Sequence, residues 1–446
     1  MTSEHKNVDK KRFITGIKYS IAVNIASKGM MYLSQFLLAR MMKVDQYGIY
    51  VYSLAWLNML LLMGTMGLDT ALLRYIPQYV SRNEWGLCWG IIKRSYQLVF
   101  LVSVVLLLSA WVVILLNRNN LDEENLILAL LIGMGVLPLW TAIRLTQGLF
   151  QSFKRPGFSQ FLDGVLAPAL LLAILGMAIM LNIPVSAVTV MAVFAVTCFL
   201  VLLFGLTWLR SNVYPARLKT AEPQYKTREW IMFAAPMLFI AGTHMIMNNT
   251  DVVMIGMMKD PSQAGIYSAA VRTASLITVS LVFVNMAITP YISEYFHSER
   301  HAELQHFISL SARIAVYFTV PTFLILMIFG KQVLGLFGHE FKSGYYSLLI
   351  LSAGQLVNVL SGSVGYIMIM AGKQKQIAYL FAVSATLNIM MNFMLIPQYG
   401  IEGAAVATAV SMMLWNLTLV VYIRRKIKLD STIFSIWSGG TSADKR

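Results

Sequence analysis

Long apolar stretches, separated by short polar segments, run through the whole chain. Each stretch is about 20 residues long, which is the length that an α-helix needs to cross the hydrocarbon core of a bilayer. We therefore predict an all-α polytopic membrane protein. Its twelve transmembrane helices are expected near residues 17–39, 48–68, 97–116, 126–149, 159–181, 185–209, 231–256, 265–290, 307–329, 347–371, 377–396 and 403–423.

The two halves of the chain begin with related sequences. ARMMKVDQYGIY occupies residues 39–50 and IGMMKDPSQAGIY occupies residues 255–267, so that Tyr50 falls opposite Tyr267 after one inserted residue. In both halves this motif joins the first predicted helix to the second. Because six helices per half is an even number, both halves enter the membrane in the same direction. This predicts two six-helix bundles related by a parallel internal repeat, an organisation typical of transporters.

The most polar internal stretch lies between the sixth and seventh predicted helices and contains Pro215 and Pro223. We interpret it as a cytoplasmic linker between the two halves. The predicted organisation is a cytoplasmic N-terminal tail at 1–16, a first bundle at 17–209, the linker at 210–230, a second bundle at 231–423 and a basic cytoplasmic tail at 424–446.

Composition supports a membrane location and explains the charge. The chain is 58% hydrophobic and 12% charged, whereas a soluble domain carries about twice that charged fraction. Its net charge is +15, and most of its 35 lysines and arginines fall on the side that holds both predicted termini. Positive charge stays cytoplasmic during insertion. We therefore place both termini in the cytoplasm and predict no nucleic-acid partner.

Polar residues recur inside two corresponding predicted helices. A charge at bilayer depth costs about 2.5–3.5 kcal/mol, so such residues usually face a cavity and serve a function. The first helix carries three within a sector of about 40°, namely Asn24, Lys28 and Gln35. The seventh carries three within about 60°, namely His244, Asn248 and Asp251. Aligning the halves sets Lys28 opposite His244 and Gln35 opposite Asp251, while Arg272 lies on the eighth helix.

These residues allow three interpretations that the sequence leaves open. In the first, Lys28, His244 and Arg272 line a water-filled cleft, with Asn24, Gln35 and Asn248, and hold an anionic group, since lysine and arginine are the natural binders of phosphate. In the second, Asp251 neutralises Lys28 or Arg272 in a static helix contact. In the third, Asp251 is a proton or sodium site that couples transport to an ion gradient.

Other motifs point away from catalysis. Asp69 and Arg74 flank the inner end of the second predicted helix. We expect them to form a surface ion pair or a helix cap rather than a cytoplasmic gate or a substrate contact. The chain has no GxxxxGK[ST] motif, no HExxH motif and no paired catalytic constellation. Cys88, expected in a loop, and Cys198, expected in a helix, lack sensibly placed partners. We predict no enzyme activity, no cofactor and no metal site beyond coupling by H⁺ or Na⁺.

Several segments resemble a known family. LLARMMKVDQYGIYVYSLAW and LLMGTMGLDTALLRYIPQY in the first half, and DVVMIGMMKDPSQAGIYSAAVRTASL, ITPYIS and LIPQYGIEGAAVATAVS in the second, are similar to polysaccharide-biosynthesis exporters. They resemble the lipid-linked oligosaccharide flippases that move O-antigen or capsule repeat units. These flippases belong to the multidrug/oligosaccharidyl-lipid/polysaccharide exporter superfamily. The resemblance covers about residues 15–425.

The resemblance implies two bundles in a V, alternating access without ATP hydrolysis, and a bacterial inner membrane location. The implied substrate is an undecaprenyl-diphosphate-linked oligosaccharide for lipopolysaccharide O-antigen, capsule or exopolysaccharide, with Lys28 the best match to a basic residue that meets the diphosphate. Partners would be membrane lipids, a polysaccharide polymerase and chain-length machinery, and the chain would be a monomer or a weak homodimer. Two alternatives remain, a drug/cation antiporter of the same superfamily and a non-transporting membrane assembly protein.

Overall fold

A computed structural model describes residues 23, 26–120, 124–285, 288, 292 and 301–433. Helices dominate these residues, and no β-strand occurs among them. The predicted all-α class is therefore confirmed for the described part of the chain. The chain divides into two compact units, unit 1 (Met1–Met245) and unit 2 (Ile246–Arg446). The division falls inside a helix and after the predicted linker at 210–230.

Unit 1 is built from ten helices and the first part of an eleventh. They are α1 (26–41), α2 (Val44–Thr65), α3 (Leu68–Ser81), α4 (Trp85–Leu116), α5 (Glu124–Gly135), α6 (Leu137–Ser152), α7 (Pro156–Phe161), α8 (Ala167–Met180), α9 (Ala187–Trp208), α10 (Ala216–Lys219) and α11 (Thr227–Met258). A π-helical turn, Leu162–Leu166, joins α7 to α8, and a second one, Leu209–Val213, extends α9.

Unit 2 contains the end of α11 and six further helices in the described residues. They are α12 (Pro261–Ser275), α13 (279–285), α14 (His301–Gly335), α15 (Tyr345–Ser361), α16 (Val364–Met370) and α17 (Gln374–Tyr422). Gly400 interrupts α17 with φ 58° and ψ −132°, so α17 is two helices joined at a sharp break. The two parts match the predicted helices at 377–396 and 403–423.

Eight helical segments in the described part are long and apolar enough to cross a membrane. They are Val44–Thr65, Trp85–Leu116, Glu124–Ser152, Pro156–Met180, Ala187–Val213, Pro261–Asn285, Ala302–Gly335 and Gln374–Ile427. His339–Ser361 and Val364–Met370 form a further candidate that is bent by 42°. A multi-pass membrane protein is therefore confirmed. The number twelve and the parallel repeat stay predictions, because part of the first predicted helix lies outside the described residues.

Part of the predicted linker packs tightly against unit 1. The backbone N–H of Gln224 donates to the carbonyl oxygen of Gly86 at 2.9 Å, and a Cβ placed on Gly90 would lie 1.8 Å from the carbonyl oxygen of Gln224. The indole N–H of buried Trp230 donates to the Tyr79 hydroxyl at 2.9 Å. The segment before α11 is therefore held on α4, and the first turn of α11 is held on α3.

One expectation is wrong. Cys88 is buried within α4 and does not lie in a loop, because α4 begins well before the apolar stretch that marks its membrane crossing. The start of the C-terminal tail is folded back on unit 2. Both polar groups of the Gln305 side chain bond the Asp430 backbone at 2.8 Å, and Arg424 forms a 2.9 Å salt bridge with the Asp430 carboxylate.

The contact at Gly90 predicts a local change in stability. Gly90→Ala should displace the Gln224 segment, lowering the apparent melting temperature and increasing proteolytic cleavage between α10 and α11. Gly176→Ala is the matched control, since nothing lies within 4 Å of a Cβ at that helical position and alanine favours a helix by about 1 kcal/mol over glycine. Equal melting and cleavage in the two variants would contradict the described packing.

Candidate functional site

A buried polar cluster surrounds Asp251 in unit 2. The Asp251 side chain is 5% exposed. Its carboxylate accepts hydrogen bonds from the Tyr267 hydroxyl at 2.7 Å, from the Asn392 amide at 2.6 Å and from the Thr408 hydroxyl. Asn388 completes the cluster, because its amide donates to the Thr408 hydroxyl at 3.2 Å and its carbonyl oxygen accepts from Asn392 at 3.1 Å. We call these five residues the Asp251 cluster.

The chain brings these residues together through two sharp reversals. Asp260 caps α12 by accepting from the backbone N–H of Gln263 at 3.0 Å, and Pro261 starts the helix. These features are typical of a helix N-terminus. The turn returns Tyr267 to the end of α11 that carries Asp251.

The second reversal is the break in α17 at Gly400, a residue type that adopts positive φ without steric cost. The break places Thr408, which follows Gly400, beside Asn388 and Asn392, which precede Gly400. The two asparagines are four residues apart and therefore share one face of the helix.

The cluster holds a carboxylate among neutral groups. Among the described residues of unit 2, no basic side chain forms a salt bridge with Asp251. The Asn392 side chain is fully buried, and its carbonyl oxygen has no hydrogen-bond partner. Carboxylate, amide and hydroxyl oxygens are ligands of hard cations. No group of three His, Cys, Asp or Glu side chains that could hold a metal occurs in the described residues. The arrangement suits a proton or an alkali cation.

The structure describes two of the three polar residues predicted on the first helix. Lys28 is exposed on α1. Gln35 is partly buried, and its side-chain carbonyl oxygen has no hydrogen-bond partner. Asn24 lies outside the described residues. Within the described residues, Lys28 has no salt-bridge partner and the Gln35 amide oxygen accepts no hydrogen bond, and both residues lie on α1 of unit 1.

The other predicted residues are spread over α11 and α12. Asn248 is exposed and does not belong to the Asp251 cluster, and the side chain of His244 is not among those described. Arg272 is partly buried, and its Nε donates to the Ser268 hydroxyl at 3.3 Å. It forms no salt bridge with Asp251, because it follows Tyr267 by five residues and points about 140° away around α12. Static neutralisation of Asp251 by Arg272 is therefore wrong.

Asp69 and Arg74 do not form the expected ion pair. They are five residues apart on α3, so their side chains leave the helix about 140° apart, and they form no salt bridge. The Arg74 guanidinium carbon lies 4.3 Å from the centre of the Phe233 ring and 5.6 Å from that of Tyr75. Arg74 therefore makes a cation–π contact with the start of α11. A role of the two residues in a cytoplasmic gate stays a prediction.

Four members of the Asp251 cluster were not predicted from the sequence, namely Tyr267, Asn388, Asn392 and Thr408. A signal for three of them was available. Tyr267 closes the repeated GIY motif, and the two asparagines stand at helical spacing in the otherwise apolar segment LNIMMNFML. Polar residues inside a membrane helix need partners, so the asparagines could have been paired with Asp251. The contact of Thr408 depends on the direction taken by the chain after Gly400.

Family models match most of the first half of the chain and part of the second half. The family described as polysaccharide biosynthesis protein matches residues 13–296, and the MatE family matches residues 236–394. The chain belongs to the polysaccharide biosynthesis protein family.

The chain is also similar to individual proteins that are named as probable flippases. It is 28% identical over 162 residues to the "Probable low-salt glycan biosynthesis flippase Agl15" of Haloferax volcanii, a match that covers 36% of this chain and 34% of that protein. It is 24% identical over 196 residues to the "Probable flippase AglR" of the same organism, covering 43% and 41%. These matches span less than half the length of either relative.

A full-length match is to the "Uncharacterized membrane protein MJ1068" of Methanocaldococcus jannaschii. It is 19% identical over 416 residues, covering 90% of this chain and 81% of that protein. The family and this match together identify a multi-pass membrane protein of the polysaccharide biosynthesis protein family.

Solved structures define the fold. A multidrug resistance MATE family transporter of the MOP superfamily, solved in an inward-facing conformation, has a TM-score of 0.76 at 12% identity and covers 92% of this chain and 98% of its own. A MOP superfamily transporter from Pyrococcus furiosus, described as having a binding pocket of reverse polarity, has a TM-score of 0.62 at 13% identity, covering 93% and 96%. The chain therefore has a transporter fold.

The Asp251 cluster predicts a specific loss of stability. Tyr267→Phe removes one hydrogen bond to a buried carboxylate, a contact worth about 1.5–3 kcal/mol, so the apparent melting temperature in detergent should fall by several degrees. Tyr399→Phe is the control, because the Tyr399 side chain is 60% exposed. Equal melting temperatures for the two variants would show that the Tyr267 hydroxyl contributes nothing to the cluster.

Proposed function

We propose that this protein is a flippase that moves undecaprenyl-diphosphate-linked oligosaccharides from the inner to the outer leaflet of the cytoplasmic membrane, driven by a cation that binds Asp251. The observation that carries the proposal is the family match over residues 13–296. The names of the two Haloferax volcanii relatives, both probable flippases, and a Staphylococcus aureus relative named as the capsular polysaccharide biosynthesis protein CapF support it. O-antigen, capsule and exopolysaccharide precursors are all substrates of this chemical class.

The Asp251 cluster is the proposed coupling site. When a cation binds, the carboxylate gains a counter-charge and the surrounding hydroxyl and amide groups can turn their oxygens towards it. When the cation leaves, the same groups donate hydrogen bonds to the carboxylate. The cluster joins α11, α12 and both parts of α17, so a change in its charge acts on four helical segments. This gives the cation a means to shift the protein between inward-open and outward-open states.

Lys28 is the proposed contact for the diphosphate. Its ammonium group is exposed, and it forms no salt bridge within the described residues of unit 1. A lysine at membrane depth without a counter-ion is costly, and a diphosphate would supply that counter-ion. Asn24, Gln35, His244, Asn248 and Arg272 remain proposed neighbours of the substrate. The polymerase and chain-length machinery remain proposed partners that receive the translocated unit.

The competing function is a drug/cation antiporter, which the MatE match over residues 236–394 favours. An antiporter for cationic drugs is expected to use several carboxylates. Asp251 is the one carboxylate side chain that is buried among the described residues, while Lys28 and Arg272 are basic. This charge balance favours an anionic substrate.

The flippase proposal is tested in a strain that lacks the gene. Finished lipid-linked oligosaccharides should accumulate on the cytoplasmic leaflet, and the intact gene should reverse the accumulation. If nothing accumulates while efflux of a cationic dye falls, the antiporter replaces the flippase. If neither changes, the protein is an assembly factor that does not transport.

Lys28→Ala should abolish surface polysaccharide while the amount of protein in the membrane stays normal, because the diphosphate loses its counter-charge. Lys28→Arg should restore part of the polysaccharide, since arginine keeps the charge but changes its geometry. Lys43→Ala is the control, being an exposed lysine at the start of α2. Normal polysaccharide with abundant Lys28→Ala would contradict the assignment.

Coupling is tested with the full chain in proteoliposomes that contain a fluorescent lipid-linked oligosaccharide. An imposed Na⁺ gradient or a pH gradient, applied separately, should accelerate translocation by the native protein at least several-fold. Asp251→Asn keeps the shape of the side chain but removes the charge, so its translocation should not respond to either gradient. Asp45→Asn, which changes an exposed carboxylate on α2, should respond as the native protein does. If a gradient accelerates translocation by Asp251→Asn as much as translocation by the native protein, coupling at this site is refuted. The flippase assignment would not be affected by that result.

A further inference from the structure

An apolar groove opens on the surface of unit 1 between α4 and α6. Its volume is about 340 Å³, and it is lined by Tyr96, Gln97, Val99, Phe100, Pro138 and Ala142. The Tyr96 hydroxyl is bound to Thr146 on α6 at 2.8 Å, so the polar tip of the ring faces the protein. Nearly all of the groove wall is therefore carbon.

The groove faces the region that lipid would occupy. Only 11% of the most apolar part of α4 is buried inside the protein, and side chains such as Leu101, Val105 and Leu108 are exposed beyond the groove. Because α4 is long and apolar enough to span a membrane, this exposed side lies against hydrocarbon. A molecule that fills the groove must therefore have an apolar chain.

Two basic residues, Lys93 and Arg94, precede the groove on α4. Lys93, Gln97 and Phe100 are spaced four and three residues apart, so they share one face of α4. Lys93 is exposed. Arg94 Nη1 donates to the Gln97 side-chain oxygen at 3.4 Å, while its Nε is buried without a hydrogen-bond partner. Neither basic residue forms a salt bridge with a described residue.

The same end of α4 has the character of a membrane interface. Trp85 and Trp89 lie in the first two turns of the helix, and tryptophan is enriched where the hydrocarbon meets the head groups. Lys93 and Arg94 follow one turn later, and the groove begins in the next turn. At 1.5 Å per residue, Lys93 and Phe100 are separated by about 10 Å along the helix. The positive charges and the apolar groove therefore follow one another along α4 in the same order as the head group and the hydrocarbon chain of a lipid.

We propose that this groove binds an anionic membrane phospholipid, with the phosphate at Lys93 and Arg94 and one hydrocarbon chain along Phe100, Pro138 and Ala142. The site is separate from Lys28 and from the Asp251 cluster. The ligand is a lipid of the surrounding bilayer and is not the transported molecule. Its two recognition elements are a pair of cations for the phosphate and an apolar channel for the chain.

The test is native mass spectrometry of the purified full chain, titrated with phosphatidylglycerol and with phosphatidylcholine of the same chain length. The native protein should retain phosphatidylglycerol in preference to phosphatidylcholine. A basic residue near a membrane surface contributes about 1 kcal/mol to binding of anionic lipid, so the double variant Lys93→Gln/Arg94→Gln should bind phosphatidylglycerol roughly 10- to 30-fold more weakly. The control Arg425→Gln/Lys426→Gln, which removes two exposed adjacent charges elsewhere, should bind as the native protein does.

A second variant tests the groove itself. Ala142→Leu should reduce phosphatidylglycerol binding although both charges remain, with the melting temperature without lipid confirming that the variant is folded. Equal binding by the native protein and the double variant, or equal binding of the two phospholipids, would overturn the proposal. Displacement of the bound lipid by an equimolar lipid-linked oligosaccharide would also overturn it, because the groove would then belong to the transported lipid. None of these results depends on whether the protein is a flippase.

Discussion

A carboxylate buried in a helical membrane protein must be satisfied by its neighbours, and Asp251 draws its hydrogen bonds from three other helical segments. Tyr267 comes from α12, Asn392 from the first part of α17 and Thr408 from the second. Water cannot replace these donors inside an apolar bundle, so each lost partner costs free energy of about 1–3 kcal/mol. The break at Gly400 and the capped turn at Asp260 are the local features that make this convergence possible. The packing of unit 2 around its polar centre depends on them.

The alignment of the two half sequences makes the position of this carboxylate informative. The aligned halves share the tyrosine, as Tyr50 and Tyr267, but Gln35 stands where the second half has Asp251. A glutamine can hydrogen-bond but cannot carry a charge at any physiological pH. A cation could therefore act on unit 2 through Asp251, whereas the corresponding position in unit 1 would not respond to it. In the predicted repeat, the two halves would therefore respond differently to an ion, because the second half alone carries a carboxylate at this position.

Much of the fold could be predicted from the sequence, because hydrophobic length and helical periodicity are local properties. The lengths of the apolar stretches predicted the helices in both halves and the interruption near Gly400. The start of α4 and the location of Cys88 could not be predicted, because a helix continues past its apolar stretch wherever its backbone stays hydrogen-bonded. For the site, the charge pattern indicated Asp251 but suggested Arg272 or Lys28 as its neutralising partner. The partners seen in unit 2 are uncharged, and their choice depends on which faces of α12 and α17 meet, a tertiary property that helical spacing does not determine.

The chemistry of the Asp251 cluster explains why neutral partners suit a coupling site better than a salt bridge would. A lysine or arginine beside Asp251 would hold the carboxylate charged and compete with any incoming cation. Hydroxyl groups can both donate and accept, and an amide can present either its nitrogen or its oxygen. Tyr267, Thr408, Asn388 and Asn392 can therefore stabilise the free carboxylate by donation and help to coordinate a cation by acceptance, and Asn392 already holds one buried carbonyl oxygen without a partner. In the proposed coupling, the free and cation-bound states would differ by rotations of side chains around a fixed carboxylate, so a physiological ion gradient could reverse the free-energy difference between them.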